Sequence, residues 1–224
     1  MVFSSLPFLF LFLTVVLLVS HILPFRFRNF FLLLANLVFY AYGEPVYVLI
    51  MIGSILVNFF AGLLMDKQST QGRRRAVLVV GIVLNLAALG VFKYAGLFVS
   101  TLREIPGLSS LPEVDIALPI GISFYTFQAV SYLIDVYWDD CAASHNLINF
   151  ASYISLFPQL IAGPIVRYKD VNEQLVSRRE TPTLFNSGVR LFVVGLAKKV
   201  LLANQFGMLW DAMSADPVAA GALG

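Results

Sequence analysis

Apolar stretches recur along the chain between short polar breaks, and a membrane-spanning helix needs about 20 mostly apolar residues. Seven stretches are candidates: residues 5–23, 30–42, 45–65, 76–100, 116–138, 147–166 and 184–210. The second is short and is expected to tilt, or to run into the third through Gly43, Glu44 and Pro45. No internal repeat, low-complexity tract or linker interrupts the series. The pattern predicts an all-α fold: a polytopic transmembrane helical bundle forming one unit. The first run has no lysine or arginine before it, and Arg26 and Arg28 follow it. A secretory signal peptide has the opposite layout, so the run is expected to be a permanent span with its N-terminus outside.

Cytoplasmic loops are enriched in lysine and arginine, which orients the series. Arg26 and Arg28 place the first loop inside, and Lys67 with Arg73, Arg74 and Arg75 place the third there. The loop 101–115 is then outside. Full crossing by 147–166 would carry Arg167, Lys169, Arg178 and Arg179 to the outside as well, against the rule. That segment contains Pro158, Gln159, Gly163 and Pro164. Proline removes helical hydrogen bonds, and irregular backbone at membrane depth survives only inside protein or along a cavity. A broken or re-entrant segment keeps 139–145 and 167–179 on the cytoplasmic side. The alternative is a spanning helix kinked at Pro158.

Polar residues also recur at helical spacing. Gly121, Tyr125, Gln128, Tyr132 and Asp135 fall on one face of the fifth segment. Ser54, Asn58 and Gly62 in the third segment, with Gly81 and Asn85 in the fourth, form seams of the kind that pack helices closely. Asp135 differs from these, because a carboxylate within a membrane marks a function or a paired charge. It also lies three residues from Trp138, within reach of the interface. Arg190, Lys198 and Lys199 in the last apolar run are snorkelling anchors or counter-charges for Asp135 or an anionic ligand.

Composition narrows the class. Of 224 residues, 59% are hydrophobic and 12% charged, against about 25% charged in a soluble domain. Mean hydropathy is +0.84. Lipid is the solvent for most of this chain, which excludes a soluble enzyme, a disordered regulator and a secreted disulfide scaffold. The net charge of +2 is too small and scattered for a nucleic-acid partner. One cysteine, Cys141, excludes an internal disulfide, and two histidines make a multi-histidine metal site unexpected. Cys141 beside Asp139 and Asp140 is expected to be a poor thiolate. Neither His21 nor His145 has a nucleophile or carboxylate at a telling spacing. On these grounds a transporter, a channel and an intramembrane enzyme remain open.

Three stretches go further: LPIGISFYTFQ at 118–128 with SY at 131–132 and IDVY at 134–137, FPQLIAGPIVRY at 157–168, and FKY at 92–94. They resemble bacterial members of the membrane-bound O-acyltransferase (MBOAT) family, over essentially the whole chain. The resemblance implies that 1–224 is the N-terminal part of one multi-pass acyltransferase domain of the inner (cytoplasmic) membrane. The catalytic half is expected beyond Gly224, with the family histidine, so the chain is expected to carry no catalytic residue, to be truncated and to be inactive alone. The implied activity moves acetyl groups from a cytoplasmic thioester such as acetyl-CoA to an exopolysaccharide such as alginate. D-alanyl transfer to teichoic acids is the alternative within the family, and a non-enzymatic transporter is the alternative outside it. Partners implied are the lipid bilayer and periplasmic acetyltransferase subunits; no bound cofactor or metal is expected. The acyl path and donor site are assigned to Tyr125, Gln128, Asp135, Pro158, Gln159, Gly163, Pro164, Arg167 and Lys169.

Overall fold

The structure, a computed structural model, describes residues 4–105, 112, 116–160, 163–178 and 180–215. Glu113, Asp115, Ile161, Ala162 and Arg179, and with them most of the loop 101–115, lie outside the described residues. Nine helices are used below: α1 Pro7–Ile22, α2 Phe25–Gly43, α3 Val48–Asp66, α4 Gln71–Arg103, α5 Ile122–Tyr137, α6 Leu147–Ser155, α7 Phe157–Leu160, α8 Tyr168–Val176 and α9 Pro182–Ser214. No strand occurs among the described residues. Three of the helices, α3, α4 and α9, are long and apolar enough to cross a membrane. The chain is an all-α membrane protein.

Two expected elements differ in extent. The second helix is longer than its apolar stretch: α2 begins at Phe25, directly after Pro24, and runs for 19 residues. The fifth is shorter than expected, because 116–121 is not helical. Gly121 has φ +79, left-handed backbone that suits glycine, and a Cβ there would press on the Leu160 carbonyl oxygen. Helix α5 therefore starts where the chain of α7 leaves no room for a side chain.

The chain forms two compact units, one of 1–15 with 178–224 and one of 16–177. In the first, α9 opens on Thr181, whose hydroxyl accepts from the Leu184 amide, with Pro182 in the first turn. Its side chains are largely exposed, Arg190, Lys198 and Lys199 included.

The second unit holds the core. Helices α3, α4 and α5 pack on one another, α2 packs on α6, and α8 lies across α5 and α6. The expected small-and-polar seams are packing elements. The Asn58 and Asn85 amides donate to each other's oxygens at 3.0 and 2.8 Å, joining α3 to α4. Gly62 and Gly81 admit Tyr132 and Leu133 of α5, and a Cβ at either glycine would overlap those side chains. Tyr132 is fully buried among Phe150 and Tyr168, with ring centroids 4.6 and 5.2 Å away.

Candidate functional site: a broken hairpin against α2 and α5

Asn146 caps α6, its side-chain oxygen accepting from the Ile148 and Asn149 amides. The helix ends at Ser155 because Pro158 offers no N–H and its ring would clash with the Ile154 carbonyl. The break falls at Leu156, and Pro158 sits exposed in the first turn of α7. A break of this kind orphans backbone groups, which in a membrane need partners from protein.

Side chains supply those partners. The Phe157 amide, which a continuing helix would send to Tyr153, donates instead to Asn36 Oδ1 of α2 at 3.3 Å. The Tyr153 carbonyl receives two replacement donors, Gln128 Nε2 of α5 at 2.9 Å and Gln159 Nε2 at 2.8 Å. The two glutamines expected along the acyl path thus meet on one buried oxygen. Gly163 lies so close to Gln159 that a Cβ would meet its Cα, and its amide donates to the Gln159 carbonyl at 3.2 Å.

The segment enters and leaves at the same end of the unit. Leu160 lies against Gly121 at the start of α5, whereas Arg167 lies beside Asp135 near its end. Those α5 positions are about 21 Å apart at 1.5 Å per residue. On the way back the Val166 carbonyl accepts from Tyr153 Oη at 2.9 Å, tying the returning chain to α6. Within this unit the segment is therefore a broken hairpin and not one continuous helix.

Charges gather at the end where the hairpin opens. Asp139, in left-handed backbone, closes α5: its amide donates to the Val136 carbonyl and that of Asp140 to the Asp135 carbonyl. Arg74 grips Asp139 through both terminal nitrogens, at 3.1 and 2.7 Å, and holds its carboxyl below the usual carboxylate range. Lys169 pairs with Asp140 at 3.4 Å, and His145 with Asp66 at 3.3 Å. Burial pushes the Cys141 thiol up to about 11, with help from Asp135 and Asp140.

Asp135 is buried within the protein; only 1% of it is exposed. The cation beside it is Arg167, with Nη1 3.9 Å from Oδ1, and Oδ2 has no hydrogen-bond partner. The face foreseen on α5 is buried from Tyr125 to Asp135. Tyr125 also lines a cavity of about 200 Å³ between α3, α4 and α5, with Ile50, Asn58, Leu84 and Asn85 among its walls. Pro164 is exposed.

A second polar line, on α2, was not foreseen: Asn29, Asn36 and Tyr40, all buried. Asn29 Nδ2 donates to Asn149 Oδ1 and to the Leu175 carbonyl at 2.8 and 2.7 Å, and its carbonyl accepts from Ser152 Oγ at 3.0 Å. Their spacing of seven and four residues is the same one-face signal read on α5. It was hidden because 30–42 looked too short to be a span.

Residues 141–214 match the family model of the membrane-bound O-acyltransferases. Over 215 residues, 94% of the chain, the sequence is 43% identical to the probable alginate O-acetylase of Pseudomonas aeruginosa, of which it covers 41%. It is 31% identical to the peptidoglycan O-acetyltransferase of Helicobacter pylori, over 80% of the chain and 39% of that protein. A teichoic acid D-alanyltransferase of Streptococcus thermophilus is 31% identical over 46% of the chain and 26% of its own length. The chain spans about two fifths of the length of the first two. No solved structure matches it.

Proposed function

Since the chain belongs to the membrane-bound O-acyltransferase family, we propose that 1–224 is the donor-side part of an enzyme that O-acetylates a cell-surface polysaccharide. The observation that carries this reading is the hairpin 147–167, whose orphaned backbone is satisfied by Asn36, Gln128 and Gln159 rather than by a helix. Broken backbone held at membrane depth belongs beside a cavity or path.

In this reading the hairpin mouth faces the cytoplasm of a bacterium, and the protein sits in the inner membrane with several passes. An acyl thioester such as acetyl-CoA approaches that mouth, where Arg167 and Lys169 attract its phosphates. The acyl carbon exchanges its bond to sulfur for one to a hydroxyl oxygen, and the thiol leaves with the hydroxyl proton. A path narrow enough to exclude water keeps the thioester from hydrolysis. The histidine that the resemblance implies would, in this reading, activate the acceptor from a part of the enzyme other than 1–224. Beyond the membrane, acetyltransferase subunits pass the group to an exopolysaccharide such as alginate.

The test uses the full-length protein in its host membrane, supplied on the cytoplasmic side with acetyl-labelled thioester. Labelled O-acetyl esters on the polysaccharide, absent when the gene is deleted, are the expected result. Labelling only with D-alanyl thioester would move the reading to D-alanyl transfer. Polymer esters unchanged by the deletion would remove the acyltransferase reading.

A further inference from the structure

Three buried donors in the second unit have more hydrogens than acceptors. Asn36 Nδ2 is buried with no hydrogen-bond partner, and the buried Tyr40 and Tyr125 hydroxyls have none beyond each other; the three residues are 0%, 4% and 1% exposed. The Tyr40 and Tyr125 hydroxyls face one another across α2 and α5, and Asn36 lies one turn from Tyr40 on the same face. Even if one hydroxyl turned to donate to the other, a hydroxyl hydrogen and the amide hydrogens would stay unspent. Buried donors left in that state cost about 1–3 kcal/mol each.

Their depth is consistent along both helices. Tyr125 is ten residues from Asp135 and Tyr40 eleven from Asn29, about 15 and 16 Å at 1.5 Å per residue. Asp135 and Asn29 both lie at the hairpin mouth, bonded to Arg167 and to the Leu175 carbonyl. Counted from a mouth set at the membrane surface, that is half of a hydrocarbon core about 30 Å thick. Asn36 also holds the Phe157 amide through Oδ1, so the donors stand beside the inner turn of the hairpin.

We infer that Asn36, Tyr40 and Tyr125 form a mid-membrane site that binds the carbonyl oxygen of the acyl group in transit; this rests on the acyltransferase reading above. A carbonyl oxygen offers two lone pairs and no donor, which matches a site made only of donors. Hydrogen bonds from the hydroxyls draw charge onto that oxygen and orient the acyl carbon for attack. The site binds and orients; it forms no bond itself. The same chemistry fits an ordered water, the other source of an acceptor oxygen.

The experiment uses the full-length enzyme in detergent, with Tyr40→Phe, Tyr125→Phe and the double variant, which remove only oxygen. Acetyl transfer is expected to fall about tenfold for each single variant, the worth of one such bond, with melting temperature unchanged or raised. The independent readout is the infrared C=O stretch of a ¹³C-acetyl thioester bound to the enzyme. It shifts to lower frequency in the wild type and returns to its solution value in the double variant. Wild-type transfer and an unchanged stretch in the double variant would overturn the inference and leave only water in the site. A shifted stretch without any polysaccharide acetylation would keep the site and sink the functional reading. Transfer without a shift in the wild type does the reverse.

Discussion

Deleting both amides that converge on the Tyr153 carbonyl should cost more than the sum of deleting each. Gln128→Leu or Gln159→Leu alone leaves that oxygen with one donor, at 2.8 or 2.9 Å. The expected cost of either is a net hydrogen bond, roughly 0.5–1.5 kcal/mol. The double variant leaves a carbonyl in a residue 1% exposed with neither donor, because the Phe157 amide is committed to Asn36. An orphaned buried acceptor costs roughly a further 1–3 kcal/mol, so a coupling of about 1–2 kcal/mol is expected. Equilibrium unfolding of the wild type, both singles and the double in mixed micelles measures it as a double-mutant cycle. Independent sites add within about 0.3–0.5 kcal/mol. Additivity at that level would refute the idea that the glutamines jointly replace the lost helical donor.

Other consequences are equally open to measurement. Arg167→Gln should destabilise by roughly 1–3 kcal/mol, because it leaves the Asp135 carboxylate buried without its cation. Adding Asp135→Asn should restore most of the loss in thermal melts, and no rescue would argue against the pair. Cys141, pushed up to about 11 from an ordinary 9.0, should be about a hundredfold poorer in thiolate at pH 8. Higher intrinsic nucleophilicity returns about tenfold of that. Its maleimide labelling should therefore run about tenfold slower than that of an exposed cysteine and keep rising with pH beyond 9. A rate that levels near pH 9 would contradict this. Single cysteines at Gln71 and Ser177, in a Cys141→Ala background, should both be protected from an impermeant thiol reagent in intact cells. External labelling at Ser177 alone would mean that 147–166 crosses the membrane.

Several features were legible before any fold was known, each through a local rule. Pro158 forbids an unbroken helix wherever it is packed. The four-and-three spacing from Tyr125 to Asp135 places those residues on one face, and the charge bias already favoured return of the hairpin to its starting side. The same spacing was present on α2, but Asn36 and Tyr40 went unread because a polar face lowered the apolar count that marks a span.

What the sequence determined by itself is what depends on neighbours along the chain: helical class, lipid as solvent, the seams of small and polar residues, and the break at the sixth segment. Which group satisfies which could not be read this way, because those pairs join residues far apart in the chain. Asn36 takes the Phe157 amide across 121 residues and Gln128 takes the Tyr153 carbonyl across 25. Asp135 found Arg167, whereas Arg190 and Lys198 had looked equally able to serve. Hydrophobic pattern fixes which side of a helix turns inward, since burial is non-directional and scales with area. Hydrogen bonds and ion pairs act over a few ångströms and need particular geometry, so their partners were chosen only when the helices were packed.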